Sequence, residues 1–203
     1  MSNEIRALYS KDTIRVYQAY NKIIASEAVM KGTFGNNFKM DRMTWIKPSF
    51  LWMMYRCGWA TKENQECVLA IDIQRNAFDY LVANAVISTY QEEMYRSREE
   101  WKRLIHSSDI RLQWDPERDI HGNPLNYRSL QLVLSPIRCK TLLDGGRRRT
   151  KIYMVFLREP SRRDRSGSDL FHLRDGFEIK MNFDRNVSCF IFVNALMHDD
   201  FFD

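Results

Sequence analysis

The residue pattern predicts an α+β fold, a mixed and mainly antiparallel split sheet carrying two to four helices. Three observations lead there. Thr13–Tyr20, Ile110–Trp114 and Ser129–Leu134 alternate in the period-two manner of strands. Cys67–Ile73 is a continuous apolar strand interrupted only by Asp72. Between these stretches lie segments with helical spacing and recognisable start and stop residues.

Taken in chain order, the strand Thr13–Tyr20 is followed by a helix over Asn21–Lys31, with Asn21 as its N-cap and Gly32 as its stop. Its apolar stripe is read as Ile23, Ile24, Ala28, Val29 and Met30. Met43–Ile46 is a short strand that leads into a buried helix, and Asn76–Val86 is a second amphipathic helix. Ser97 and Glu100 form a capping box, which predicts a helix over Ser97–Ser107. Asp115–Asn126 reads as a turn-rich loop because of Pro116, Gly122 and Pro124. Ile152–Leu157 is a further strand, beyond the breaker Gly145-Gly146.

Composition narrows the class. The chain has 203 residues, enough for one domain with an appendage, and its apolar and charged fractions are those of a globular protein. No run approaches the roughly 18 apolar residues of a membrane span. The start MSNEIRALYS lacks an apolar signal core, so an intracellular protein is expected, cytoplasmic or nuclear and not secreted. Cys57, Cys67, Cys139 and Cys189 stand far apart with no CxxC pair, and the four histidines are scattered; neither disulfides nor a metal is expected. Charge is uneven: residues 147–165 carry eight Lys/Arg against two Asp/Glu, while the tail from Ser166 carries three against seven. The basic run Arg147–Arg165 is a candidate contact for RNA or DNA, and a solvated linker is the plainer reading.

The stretch Met40–Trp59, MDRMTWIKPSFLWMMYRCGW, says most about function. It sets Arg42, Thr44, Lys47 and Ser49 before a helix that is apolar on nearly every side, with Pro48 suited to the first helical position and Gly58 to the exit. A helix start ringed by such residues suits an anion, and so a phosphate-bearing ligand. The structural alternative is simple capping by Ser49 or Thr44, with Lys47 in solvent. Arg15 and Tyr17 share one face of the first strand, and Gln18 and Tyr20 the other. An Arg at that place is either paired structurally or aimed at a diphosphate. In WDPERD, Asp115, Glu117 and Asp119 alternate, but Ile120 and Asn126 exclude an EF-hand. One of these carboxylates can act as a base or stabilise a cationic transition state, with Arg128 and Gln131 completing the site. The plainer reading is a turn in which Arg118 pairs with a carboxylate. No P-loop, GxGxxG, GxSxG, HExxH or kinase signature occurs.

The segments IRALYSKDTIRVYQAYN, RMTWIKPSFLWMMYRCGWATK, VLAIDIQRNAFDYL, SREEWK, QWDPERD and YRSLQLVL resemble the domain of unknown function 4291 family. The resemblance covers roughly residues 4–135 and departs at PIRCKTLLDGGRRRTKIYMVFL, which divides the chain into a family-like domain, 1–135, and a divergent basic linker and tail, 136–203. That family implies no particular reaction.

The element order is in turn similar to small ADP-ribosyltransferase-like domains, which hold NAD across a split sheet. By that resemblance Arg15 binds the pyrophosphate, Ser49 and Tyr55 support the nicotinamide side, and Gln131 or Glu117 orients the ribose or the acceptor. The expected nucleotide-binding set is thus Arg15, Gln18, Arg42, Thr44, Lys47, Ser49, Tyr55 and Arg56, and the expected catalytic set Asp115, Glu117 and Gln131. The resulting expectation is an enzyme that binds NAD or another nucleotide and transfers an ADP-ribosyl or nucleotidyl group to protein or nucleic acid. The alternative is a non-catalytic nucleic-acid-binding module that uses its aromatics for stacking.

Overall fold

Alternation in TIRVYQAY produces β1 (Thr13–Tyr20), whose Ile14, Val16, Gln18 and Tyr20 are buried while the intervening residues are partly open. The computed structural model describes residues 4–139, 150–157, 179–180 and 192–193. Asn21 caps α1 (Lys22–Lys31) by accepting from the Ile24 N–H at 3.0 Å, and Gly32 ends it with φ of 65°. The face of α1 that packs inward matches the expected stripe only at Ala28. Ala25 and Ala28 are its buried residues, while Ile23 and Met30 are 65% and 80% exposed. Two small side chains let the helix lie close to the sheet, and the larger aliphatics are left outside.

After β2 (Thr44–Ile46) and α2 (Phe50–Arg56) comes β3 (Cys67–Gln74), which pairs antiparallel with β1 from Thr13 opposite Gln74 to Tyr20 opposite Cys67. Residues 67 to 71 of β3 are buried in succession, as a strand covered on both faces requires. α3 (Arg75–Ala83) contacts β1 and β3 and buries Phe78 and Leu81. It stops short of Val86, because Val86–Ile87 is a short strand, β4. α4 (Arg98–Ser107) begins at Ser97, whose hydroxyl accepts from the Glu100 N–H at 3.1 Å, and the Glu100 carboxylate accepts from the Arg96 N–H.

The largest difference from expectation lies in WDPERD. Instead of opening a loop at Asp115, β5 continues from Ile110 to Arg118, and β6 begins already at Pro124 and runs to Leu134. The strand tolerates Pro116 because the register shifts between Pro116 and Arg118, and a bulge accommodates a residue without an N–H. Arg128 Nη1 donates to the Trp114 carbonyl at 2.9 Å, adding a side-chain tie to the same stretch.

The elements form the expected split sheet. β1, β3 and β7 (Lys151–Leu157) make one three-stranded sheet, and β2, β6, β5 and β4 make a four-stranded one, antiparallel except for the parallel β4–β5 pair. At the split the Tyr17 N–H donates to the Lys47 carbonyl at 2.7 Å, an isolated bridge between the two sheets. α2 lies against both, touching β1 and β5. The fold is thus α+β, with α1–α4 and a further helical stretch at 136–139.

The first compact unit runs to Phe156, so the strand expected at Ile152–Leu157 belongs to the sheet rather than to the tail. In the second unit, Ile179–Lys180 (β8) pairs antiparallel with Phe192–Val193 (β9). No helix among the described residues is long and apolar enough to cross a membrane.

Two predictions follow from this packing. Leu132, fully buried, should lose about 2–5 kcal/mol on Leu132→Ala. Ile23→Ala should change stability by less than about 0.5 kcal/mol, because the side chain is already in water. Urea unfolding of both variants checks the assignment of the α1 face.

A third prediction concerns Glu27, which anchors the loop after α1 by accepting from Lys31 Nζ, the Asn36 and Asn37 N–H groups and Asn37 Nδ2. Lys31 foremost, then Asn37, lowers its pKa from 4.5 to about 2. A lowered folded-state pKa gives stability that is present above the unfolded value and lost as pH falls from about 4.5 towards 2. Glu27→Gln should therefore flatten the melting-temperature profile in that acid window and leave its shape at neutral pH unchanged.

Candidate functional site at the split of the sheet

Period two places Gln113, Asp115 and Glu117 of β5 on one face. β6 sets Gln131 opposite Gln113 and Ser129 opposite Asp115, so both join that face. β2 pairs Ile46 with Leu132, which carries Lys47 to the same place at the end of the strand. Lys47 is completely buried, its Nζ 2.7 Å from Asp115 Oδ2 and 3.9 Å above the centre of the Trp52 ring. The solvated lysine of the capping alternative is therefore not what the structure has. Burial pulls the Lys47 pKa down, and the adjoining Asp115 carboxylate opposes that shift. Asp115 Oδ1 accepts from Gln113 Nε2 at 2.6 Å, so both oxygens of Asp115 are engaged.

A second polar pair stands beside the first. Ser49 is the N-cap of α2, accepting from the Trp52 N–H at 3.1 Å, and its hydroxyl donates to Glu117 Oε1 at 2.7 Å. The same oxygen accepts from the Arg118 N–H at 2.8 Å. Pro48 thus precedes the cap instead of opening the helix. With seven residues, and with Ser49 occupying the Trp52 N–H, α2 does not supply the anion cradle that the sequence suggested. Nor is it apolar and buried all round: Met53 and Met54 are buried, but Tyr55 is 43% exposed and Arg56 is exposed too.

The other expected binding residues serve other partners. Arg15 Nε and Nη2 grip the two oxygens of Asp72 at 2.7 and 2.8 Å, so its bidentate edge is taken by β3 and not open to a diphosphate. Tyr17, beside Arg15, is pushed up to about 12 by burial. Gln18 is buried and donates to Thr44 Oγ1 and to the Trp45 carbonyl, which fastens β1 to β2. Arg42 is exposed in the turn before β2, and the Arg56 carbonyl accepts from Lys62 Nζ. Of the expected site residues, the split thus gathers Lys47, Ser49, Asp115, Glu117 and Gln131. Arg15, Gln18 and Thr44 are engaged with other partners, Tyr55 carries the Arg118 guanidinium on its ring, and the side chains of Arg42 and Arg56 are exposed.

Three site residues were not expected from the sequence. Gln113 holds Asp115, and Trp52 lies under the Lys47 ammonium. Ser129 is 5% exposed, and its Oγ is buried without a hydrogen-bond partner among the described residues. The signal for Gln113 was present, since the polar residues 113, 115 and 117 alternate with Leu112, Trp114 and Pro116. Among the described residues Arg118 does not pair with a carboxylate as the turn reading required. Its guanidinium lies 4.1 Å from the Tyr55 ring centre, and Nη1 donates to the Gly122 carbonyl at 3.1 Å.

A family model described as Domain of unknown function (DUF4291) matches residues 4–146. The chain belongs to this family. Its match runs past Ser135 to the Gly145-Gly146 pair, further than the resemblance reaches in the sequence alone. No curated protein and no solved structure matches the chain. Apart from 150–157, the basic run Arg147–Arg165 lies outside the described residues.

Removing one partner of a buried ion pair leaves the other charge uncompensated. Lys47→Met should therefore destabilise the protein by about 3–5 kcal/mol, and Lys47→Met/Asp115→Leu should recover most of that loss. A double-mutant cycle by chemical denaturation measures both.

Proposed function

We propose that this chain is an enzyme that binds NAD or another nucleotide at the split of its sheet and transfers the ADP-ribosyl or nucleotidyl portion to a protein or nucleic-acid acceptor. The observation that carries the reading is the Ser49–Glu117 pair: a buried carboxylate, held in one orientation by a hydroxyl and a backbone N–H, at the junction of the two sheets. Both oxygens of Asp115 are engaged, by Lys47 and Gln113, whereas Glu117 is held through Oε1 alone, which makes Glu117 the carboxylate with an oxygen to offer. A single fixed carboxylate suits glycosyl transfer better than a reaction needing two free ones. In that reaction the bond between ribose C1′ and the nicotinamide nitrogen breaks, and its electron pair leaves with nicotinamide. A lone pair of the acceptor forms the new bond to C1′, and the acceptor's proton passes to solvent or to a base. Positive charge builds on the ribose as the bond breaks, and a preorganised carboxylate stabilises it in the transition state.

Gln131 and Ser129 supply neutral hydrogen-bonding groups on the same face for the ribose hydroxyls. Lys47 acts at one remove, fixing Asp115 and the end of β2. The element order, with a split sheet and a carboxylate on a late strand, supports the likeness to ADP-ribosyltransferase-like domains by analogy only.

The test is release of free nicotinamide from NAD by the full chain, with protein and with RNA and DNA offered as acceptors. Glu117→Gln keeps the shape and removes the charge. It should lower nicotinamide release by roughly 10²–10³-fold while the thermal shift with NAD persists. Equal turnover by the wild type and Glu117→Gln would overturn the assignment of Glu117. Absence of any binding or turnover with NAD, ATP or GTP would overturn the nucleotide reading itself.

A further inference from the structure

We infer that Arg118, seated on Tyr55, is the phosphate-binding group of this site and takes the diphosphate of the nucleotide; the assignment rests on the nucleotide reading above. The sequence gives the diphosphate to Arg15, but Asp72 occupies that side chain through Nε and Nη2, the edge a guanidinium uses to hold two oxygens at once. Arg118 has the complementary pattern. Its Nη1 is spent on the Gly122 carbonyl, and the Nε/Nη2 edge has no hydrogen-bond partner among the described residues. It takes part in no ion pair among them either. Within that edge the Nε–H is buried and unpaired, which is unfavourable on its own, so a phosphate oxygen meets Nη2 and reaches Nε only with a small shift of the side chain.

The seat is built for a fixed orientation. The guanidinium lies against the Tyr55 ring at 4.1 Å, an arrangement that favours the cation and limits its rotamers. The loop from Asp119 to Asn123 fixes the Gly122 carbonyl. Asp119 accepts from the N–H groups of His121 and Asn123 and from Asn123 Nδ2, and its own carbonyl accepts from the Gly122 N–H. Gly122 has φ of 82°, and a Cβ there would stand 3.1 Å from Tyr55 Cδ2. A side chain at 122 would therefore strain the backbone and press on the ring that carries Arg118.

Charge placement agrees with the chemistry. Glu117 and Arg118 are consecutive, and the Arg118 N–H is bonded to the Glu117 carboxylate. The site thus offers a negative group where positive charge develops during bond breaking. The next residue of β5 carries a positive group, joined to Glu117 through its backbone N–H and not through an ion pair, for the part of the ligand that is negative throughout. Arg118 is a binding residue in this account, acting on the diphosphate and not on the reacting bond.

The test compares three probes on the full chain by calorimetric titration at moderate salt: inorganic pyrophosphate, ADP and adenosine. Arg118→Ala should weaken ADP and pyrophosphate at least tenfold and leave adenosine unchanged. Arg118→Lys keeps the charge without two parallel donors and should recover only part of the loss, and it carries the test if Arg118→Ala fails to fold. Tyr55→Phe keeps the ring and should keep ADP affinity. An equal loss of ADP and adenosine would make Arg118 a structural residue and overturn the inference. So would unchanged ADP affinity in Arg118→Ala, or absence of pyrophosphate and ADP binding by the wild type. Arg118-dependent pyrophosphate binding without nicotinamide release would uphold this subsite and sink NAD as the substrate. Glu117-dependent nicotinamide release with unchanged ADP binding in Arg118→Ala would do the reverse.

Discussion

The arrangement at the split depends on one buried ion pair. Lys47 is wholly removed from water, and Asp115, 2.7 Å away, the face of Trp52 and the more distant charge of Glu117 compensate it. Desolvating an ammonium group is expensive, so this pair adds little net stability and instead restricts which arrangements are allowed. β2 must end where Lys47 meets β5, and β5 must remain a strand through Asp115. Trp52 must face the ammonium, which fixes the rotation of α2 about its axis. The Lys47 carbonyl at the same residue takes the Tyr17 N–H, so the junction of the two sheets and the polar pair share one backbone position.

Around that pair the polar groups form a graded set. Asp115 is engaged through both oxygens, Glu117 is held through one, and Ser129 Oγ is buried with no partner among the described residues. Pure structure would favour complete satisfaction. Incomplete satisfaction, concentrated where two sheets part, is the usual condition of a place that receives a ligand. The contrast with Arg15 and Asp72 is informative. That pair has the strongest bidentate geometry among the described ion pairs, and for that reason it has nothing left to offer a ligand.

Much of the fold was legible in the residues. β1 has the predicted ends, Asn21, Ser97 and Gly32 cap where expected, and the split sheet follows from the strand pattern. What misled was punctuation. Pro116 and the acidic residues of WDPERD read as a turn, yet a bulge absorbed the proline and the strand continued. That error placed Asp115 and Glu117 in a loop, when their alternation on β5 is what brings them to Lys47 and Ser49. On α1 the misreading was of another kind: of the expected stripe Ala28 is buried, but close packing selected Ala25 as its partner in place of the bulkier Ile23 and Met30. Side-chain pairing across long sequence distance, as of Arg15 with Asp72 or Arg118 with Tyr55, leaves no local signal at all.

Both polar pairs of the site join residues that lie 68 positions apart, Lys47 to Asp115 and Ser49 to Glu117. They therefore close the same long loop, and neither can form before the β5–β6 hairpin has docked against β2. Until then Lys47 remains hydrated and Glu117 free to rotate. A ribosome-bound chain that has emerged only through α4 has the helix cap but no carboxylate to meet it. The polar junction at the split thus assembles late in synthesis, when the hairpin seats and the ion pair and the hydroxyl contact form together.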